Sequence, residues 1–282
     1  MFHGPLQTSV REKRKVKVKP YTFLGIPYYV LLSSLIIIPL LLIIFYAVTI
    51  QEQGLYYKFT LIYFRQFFNE TEFVKVMADS IVLALMTTLI CLFIGYPLAY
   101  FITKRKPITQ AILVLLITAP MWVNMLIRTV AWKQIFDMIN PRLLGTDFAI
   151  IVGMVYVFLP FMVLPIYTVL SKIDPLLYEA SADLGGSNLK TFRKVTLPLS
   201  ISGVLSGITM VLLPAATTMV IPRYLGQNRV LIGTLIERKF YDSGNWGYGA
   251  AIAIILSLII MVMVLFTKKL DRNKEVERDE KA

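Results

Sequence analysis

The sequence predicts an all-helical membrane protein that crosses the bilayer several times, and three observations support this fold class. Of the 282 residues, 57% are hydrophobic and only 16% are charged, whereas soluble domains have roughly 45–50% apolar and about 25% charged residues. Several apolar stretches are long enough to cross roughly 30 Å of hydrocarbon as helices. The single Cys91 lies inside one of them, which excludes a disulfide framework and a cysteine metal cluster. A free cytosolic enzyme, a disordered chain and a collagen-like fibre are therefore excluded.

Charged and turn residues divide the apolar sequence into a domain of six spans, residues 23–267. The first span has no charged residue, and its length predicts tilt or an interfacial first turn. The second follows Asp79 and is closed by Lys104, and the third contains one charge, Arg128. The predicted spans are about 23–50, 80–102, 108–132, 148–170, 199–221 and 247–267.

The distribution of Lys and Arg predicts the orientation of the spans. The tails 1–22 and 268–282 and the connections 103–107 and 171–198 together carry 19 Lys and Arg residues, against 9 in the other connections. Because cytoplasmic segments carry the excess of positive charge, both termini and the 171–198 loop are predicted to be cytoplasmic. The net charge of +12 is then a topology signal, and no nucleic-acid partner is predicted.

Motifs that are absent from the sequence also narrow the set of possible functions. It has no phosphate-binding run of the G-x-x-x-x-G-K-[ST] type and no zinc-protease motif. No Asp, Glu or His lies inside the six predicted spans, although carriers driven by protons or sodium generally use intramembrane ionisable groups. The sequence therefore predicts no catalytic site, metal or cofactor, and any active transport requires an energy source on another subunit.

The 171–198 segment predicts two short helices separated by glycine. Asp174 suits the N-cap and Pro175 the first helical position, and Gly185 suits a left-handed C-terminal stop. Ser187 is a second N-cap, and Pro198 is expected to end the second helix before span five. Such a small element buries little surface by itself, which favours docking to a partner.

The spacing of Glu179-Ala180-Ser181, Gly185, Val195 and Leu197-Pro198 resembles the EAA loop of ABC importer permeases, E-A-A-x3-G-x9-I-x-L-P. Ser181 and Val195 depart conservatively from that pattern. In this family the loop is the coupling helix, which lies in a groove of the cytoplasmic ATPase. The resemblance implies the following coupling residues: Asp174, Glu179, Ala180, Ser181, Asp183, Gly185, Leu197 and Pro198.

Further segments resemble the permeases of spermidine/putrescine importers, in particular their B-type subunit. They include 95–101, 120–128, 155–167 and 245–251, and together with shorter matches they cover most of residues 80–255. The resemblance implies a type I importer permease of the bacterial inner membrane with both termini inside. It also implies a homologous C-type permease, two ATPase subunits and an external polyamine-binding protein as partners.

A polyamine pathway needs oxygen atoms and aromatic faces that receive cations. Residues of these types on the spans and on the 222–246 connection are candidate pathway residues: Trp122, Asn124, Tyr156, Tyr167, Pro214, Tyr241, Asp242 and Trp246. Arg128 is expected to reach the interface or to pair with a carbonyl or Asp137. Prolines in the spans (Pro97, Pro120, Pro160, Pro165 and Pro214) are expected to bend helices, and Gly203 and Gly207 to permit close helix packing.

Two other functions remain open at this point. The first is the same architecture with another substrate, such as iron, a phosphonate or another small cation. The second is a stand-alone secondary carrier or membrane enzyme, which would be active without an ATPase.

Overall fold

The computed structural model describes residues 26–51, 57–227, 229–241 and 244–279, so the predicted tail 1–22 lies outside the described residues. The chain divides into two units, Met1–Ile43 and Ile44–Ala282. Most of helix α1 (Ile26–Val48) belongs to the first unit, and its 23 residues include no charged side chain. Such a helix is about 35 Å long and can cross a bilayer.

The second unit begins with the last residues of α1, which a short antiparallel hairpin follows, in which Thr49–Gln51 pairs with Tyr57–Phe59. Helices follow, and the helix Asn188–Leu199 contains a π-helical turn at Phe192–Thr196. They are α2 (Ile62–Asn69), α3 (Thr71–Thr103), α4 (Pro107–Thr118), α5 (Met125–Ile139), α6 (Asp147–Leu170), α7 (Leu176–Asp183), α8 (Asn188–Leu199), α9 (Ile201–Thr217), α10 (Val220–Leu225), α11 (Ile232–Tyr241) and α12 (Trp246–Asp279).

Four helical stretches of the described residues are long and apolar enough to cross a membrane: Pro27–Val48, Phe73–Thr103, Asp147–Leu170 and Trp246–Thr267. Two bent pairs raise the number to six if each pair is counted as one span. The prediction of a multi-pass helical protein is confirmed, and its six spans correspond to counting each bent pair once.

The third predicted span is not one straight helix. The chain bends by 92° between Pro107–Trp122 and Met125–Ile139, with a 3-10 turn at Ala119–Trp122. Pro120 lacks the amide hydrogen that an uninterrupted helix would use. Asn124 then starts the next helix, because its side chain accepts a hydrogen bond from the Leu126 amide at 2.8 Å.

The fifth predicted span also differs from the structure. Helix α8 continues through Pro198 to Leu199, so Pro198 does not end it. The chain bends by 60° between Leu199 and Ile201, where the Ser200 amide still donates to the Thr196 carbonyl at 3.0 Å. Helix α9 then ends at Thr217, and the separate helix α10 follows.

The predicted prolines have unequal effects on the helices. Pro120 lies at the 92° break, whereas the other four lie inside helices that continue past them: Pro97, Pro160, Pro165 and Pro214. The predicted bend is therefore confirmed at Pro120.

Helix α6 packs mainly against α3 and α9, and this three-helix contact forms the centre of the core. A Cβ atom at Gly203 would lie 2.9 Å from the Pro165 carbonyl oxygen, and one at Gly207 would lie 2.7 Å from the Met162 sulfur. Both distances are too short for a side chain, so these glycines permit the contact between α9 and α6. This confirms the predicted close packing.

Candidate functional site

The 171–198 segment, called the EAA-like loop below, forms the two predicted short helices. Asp174 Oδ1 accepts a hydrogen bond from the Leu176 amide at 2.9 Å at the start of α7. Gly185 has a φ of +70° after its end, which is the left-handed conformation that glycine adopts without strain. The Ser187 hydroxyl caps α8 by accepting from the Lys190 amide at 3.4 Å.

The turn between α7 and α8 depends on a second glycine that the sequence analysis missed. A Cβ atom at Gly186 would lie 2.6 Å from the Ser181 carbonyl oxygen, whereas one at Gly185 would have nothing within 4 Å. The Ser181 hydroxyl is 2.7 Å from the Thr191 hydroxyl, so the serine that replaces an alanine of the EAA pattern links the two helices. The Gly185-Gly186 pair was a signal for this tight turn.

The EAA-like loop presents apolar side chains although it lies outside the apolar spans. Helix α7 contains no buried residue, and Glu179, Ala180 and Asp183 are exposed. Leucines in and beside α7 and at the start of α8 are also exposed: Leu176, Leu177, Leu184 and Leu189, with 84% of Leu184 accessible. Beside them is a groove of about 420 Å³ lined by Leu177, Ala180, Ser181, Leu184, Gly186, Lys190, Lys194 and Val195. Exposed apolar surface outside a bilayer is typical of a protein contact.

Aromatic contacts join α8 to the end of α3. The Phe192 ring lies edge-on to Tyr96 and Tyr100, at centroid distances of 5.9 and 5.4 Å. The Tyr96 hydroxyl is 2.8 Å from the Ser200 hydroxyl at the bend before α9. The last motif residues remain accessible, since Leu197 is exposed and Pro198 is half-buried. The loop is therefore attached to the core mainly through α8, whereas α7 contains no buried residue.

The predicted pathway residues of spans three and four do not form one cluster. Trp122 is 84% exposed and shares the break between α4 and α5 with the capping residue Asn124. Tyr156 lies edge-on to Trp132 at 5.6 Å, and the Tyr167 hydroxyl donates to Gln110 Oε1 at 3.0 Å. Because Tyr156 and Tyr167 are eleven residues apart on α6, their Cα atoms are separated by about 16 Å along the helix axis.

The remaining candidates concern the far end of the bundle, where α6 begins. Tyr241 is 80% exposed, and Trp246 packs between Tyr46 and Phe240, at 6.1 and 5.5 Å. Pro214 is half-buried within α9. Asp242 lies outside the described residues.

A cleft of about 540 Å³ at the far end was missed by the sequence analysis. This arginine cleft is lined by Met219, Pro222, Arg223, Gln227, Arg229, Thr234, Glu237, Arg238 and Tyr241. A neighbouring cleft of about 350 Å³ shares Met219, Glu237 and Tyr241 with it. The only sequence signal for this cleft was a cluster of arginines after the fifth predicted span, and that cluster did not indicate which residues the arginines contact.

Carboxylates neutralise two of the three arginines in this cleft. Arg229 forms a bidentate pair with Asp147, at 2.9 and 2.8 Å, and its Nη1 atom is 3.5 Å from Asp79. Arg223 pairs with Glu237. The first pair joins residues 82 positions apart, a separation at which no local sequence pattern signals a contact.

Arg128 does not pair with Asp137, which was one of its predicted alternatives. Asp137 lies nine residues further along α5, or about 13 Å along the axis, too far for a direct ion pair. The Nε and Nη1 atoms of Arg128 are buried and have no hydrogen-bond partner among the described residues.

Residues 91–276 match the protein family described as binding-protein-dependent transport system inner membrane component. The spermidine/putrescine transport system permease protein PotB of Haemophilus influenzae is 34% identical over 264 residues, which cover 86% of this chain and 92% of that protein. PotB of Escherichia coli K12 is 35% identical over 223 residues, which cover 72% of this chain and 80% of that protein.

Two solved structures are similar in fold. A chain of a bacterial ABC transporter involved in the import of alginate superimposes with a TM-score of 0.69 at 13% identity, covering 89% of this chain and 95% of that chain. A chain of the inward-facing MetNI methionine ABC transporter gives 0.57 at 19% identity, covering 72% of this chain and 94% of that chain. Identities this low support the fold alone.

The match over residues 91–276 agrees with the predicted class of protein, a transport permease that is not itself an enzyme. The helices long enough to span a membrane agree with the predicted localisation. The chain therefore belongs to the family of binding-protein-dependent transport system inner membrane components, with the type I ABC importer permease fold, and is a multi-pass protein of the bacterial inner membrane.

Proposed function

We propose that this chain is one permease subunit of an ATP-driven importer for spermidine or putrescine and forms half of its translocation pore. Its 34% identity to a spermidine/putrescine permease over most of both chains supports the substrate class. The pore would be completed by a homologous C-type permease, and an external binding protein would deliver the polyamine.

The observation that carries the proposal is the exposed EAA-like loop. Helix α7 is capped at both ends but contains no buried residue, and exposed leucines in and beside it flank an open groove. In the proposed complex this surface docks on one of two ATPase subunits, with Glu179 and Asp183 in the contact. ATP-driven movement then reaches α9 through the bend at Ser200.

The orientation in this proposal places the EAA-like loop and both termini in the cytoplasm. The excess of Lys and Arg on that side supports it. The arginine cleft at the far end then faces the binding protein.

A polyamine cation can enter past exposed aromatic groups. Tyr241 at the far end and Trp122 at the break between α4 and α5 offer ring faces, and a cation over such a face gains about 0.5–2 kcal/mol. The pairing of Arg223 and Arg229 with carboxylates reduces their repulsion of a cationic substrate.

Reconstitution of the complete transporter tests this function. The permease pair, its ATPase and the binding protein encoded beside it are placed in liposomes, and ATP hydrolysis and uptake are measured with spermidine, putrescine, ferric iron and a phosphonate. Stimulation by spermidine or putrescine alone is expected. Stimulation by iron or the phosphonate would replace the polyamine assignment, and uptake by this chain without an ATPase would identify a stand-alone carrier.

A further inference from the structure

We propose that a contact between Lys104 and Tyr178 transmits movement of α7 to the transmembrane helix α3. The Lys104 Nζ atom lies 3.9 Å from the centroid of the Tyr178 ring and 5.2 Å from that of Tyr100. A cation over an aromatic face at this distance is attracted by the ring quadrupole. Lys104 and Tyr178 are positioning residues and do not touch the substrate. The inference rests on the proposed docking of the EAA-like loop to an ATPase.

Two tyrosines on one face of α3 and the lysine that follows the helix contact the EAA-like loop. Tyr96 and Tyr100 are four residues apart on α3, so they lie one above the other, and Lys104 is the C-cap residue of the same helix. Phe192 of α8 contacts the two tyrosines, and Tyr178 of α7 contacts Lys104. Both helices of the loop are thereby attached to the same end of α3.

The attachment through Tyr178 is important because α7 has little other support. Helix α7 contains no buried residue, and within this chain it packs mainly against α8. Helix α3, in contrast, packs extensively against α6 and α9 in the core. A displacement of α7 by a docked ATPase therefore reaches the core directly through Lys104, as well as indirectly through α8.

The neighbouring Arg105 provides a matched control. Its guanidinium carbon lies 3.9 Å from the centroid of the Phe101 ring, so it also makes a cation–π contact at the end of α3. That contact stays within one helix and its connection and does not reach α7. Arg105→Met removes the same charge without breaking the proposed link.

The test uses the complete transporter in liposomes and measures ATPase retention, ATP hydrolysis with loaded binding protein, and substrate molecules imported per ATP. Tyr178→Leu and Lys104→Met should retain the ATPase but lower import per ATP by roughly 2- to 30-fold, the range for loss of one cation–π contact. Tyr178→Phe should restore wild-type coupling because it keeps the ring, and Arg105→Met should be unchanged. The double variant of Lys104 and Tyr178 should be no worse than the more severe single variant.

Several outcomes would overturn the proposal. Wild-type import per ATP in Tyr178→Leu, or an equal loss in Arg105→Met, would show that the contact does not transmit movement. Additive losses in the double variant would show that Lys104 and Tyr178 act separately. Loss of ATPase retention in Tyr178→Leu would make Tyr178 a docking residue. Failure of the proposed function is distinguishable, because it would show as an ATPase that does not bind the wild-type permease pair at all.

Discussion

At the residue scale, Arg229 organises the far end of the bundle. It joins the connection after α10 to the start of α6 through Asp147 and to α3 through Asp79. Beside it, the Ile232 amide donates to the Ser80 hydroxyl at 2.8 Å, so the same connection is fixed to α3 twice. These contacts bring together residues from three separate parts of the sequence, and composition alone could not predict them.

Replacement of Arg229 by Lys should destabilise the folded permease. Lysine keeps the charge but cannot form the bidentate pair with Asp147. Because the Arg229 side chain is 40% exposed, the expected loss is about 0.5–1 kcal/mol, and it should be smaller at high salt. Thermal unfolding in detergent at low and high salt measures it. Arg238→Lys, in the same cleft but without an ion pair among the described residues, should be neutral, and equal losses in both would contradict the assignment.

At the element scale, the spans were predictable because a run of apolar residues needs no partner to identify it. The fourth predicted span, 148–170, agrees with Asp147–Leu170 to one residue. The sequence predicted a bend at Pro120 but not that it would break the span, because helices continue past Pro97 and Pro160. Local sequence does not distinguish these cases, since neighbouring helices decide whether the freed carbonyl finds a partner.

The close packing of α9 and of α3 against α6 predicts unequal effects of alanine at two glycines. At Gly203 a Cβ atom meets a backbone oxygen at 2.9 Å, whereas at Gly95 it meets the flexible Met162 side chain at 3.1 Å. Gly203→Ala should therefore lose about 2–3 kcal/mol of stability, and Gly95→Ala less than about 1 kcal/mol. The midpoint of thermal unfolding and the fraction of monodisperse protein measure both. Equal stability of the two variants would show that the helices can separate freely at Gly203.

At the scale of the whole molecule, the family and the multi-pass helical fold followed from composition and from one spaced motif. Helix-capping preferences predicted the Asp174 cap and the Gly185 stop, because capping depends on neighbouring residues. Neither these preferences nor the motif predicted the attachment of Phe192 to Tyr96 and Tyr100, which joins elements that are almost one hundred residues apart. The candidate pathway residues could not be assembled either, because the second half of the pore would come from another chain.

The proposed orientation predicts which residues are accessible from each side of the membrane. In a Cys91→Ala background, a cysteine at Lys190 should react with an impermeant thiol reagent only from the cytoplasm. A cysteine at Arg142, which is exposed in the connection before α6, should react only from outside. Labelling of intact cells and of inverted vesicles distinguishes the two, and the reverse pattern would place the EAA-like loop on the wrong side for an ATPase.

The central claim, that the EAA-like loop couples this permease to an ATPase, is tested most directly by ATPase retention in Gly185→Val. Gly185 has a φ of +70° and no neighbouring atom within 4 Å of a Cβ position, so the substitution strains the backbone without a steric clash. A β-branched residue at this φ is unfavourable by about 1–3 kcal/mol, whereas asparagine tolerates it. Gly185→Val should insert and pair with its partner permease but lose most of the ATPase on purification, and Gly185→Asn should retain it. Wild-type ATPase retention and transport by Gly185→Val would contradict the claim.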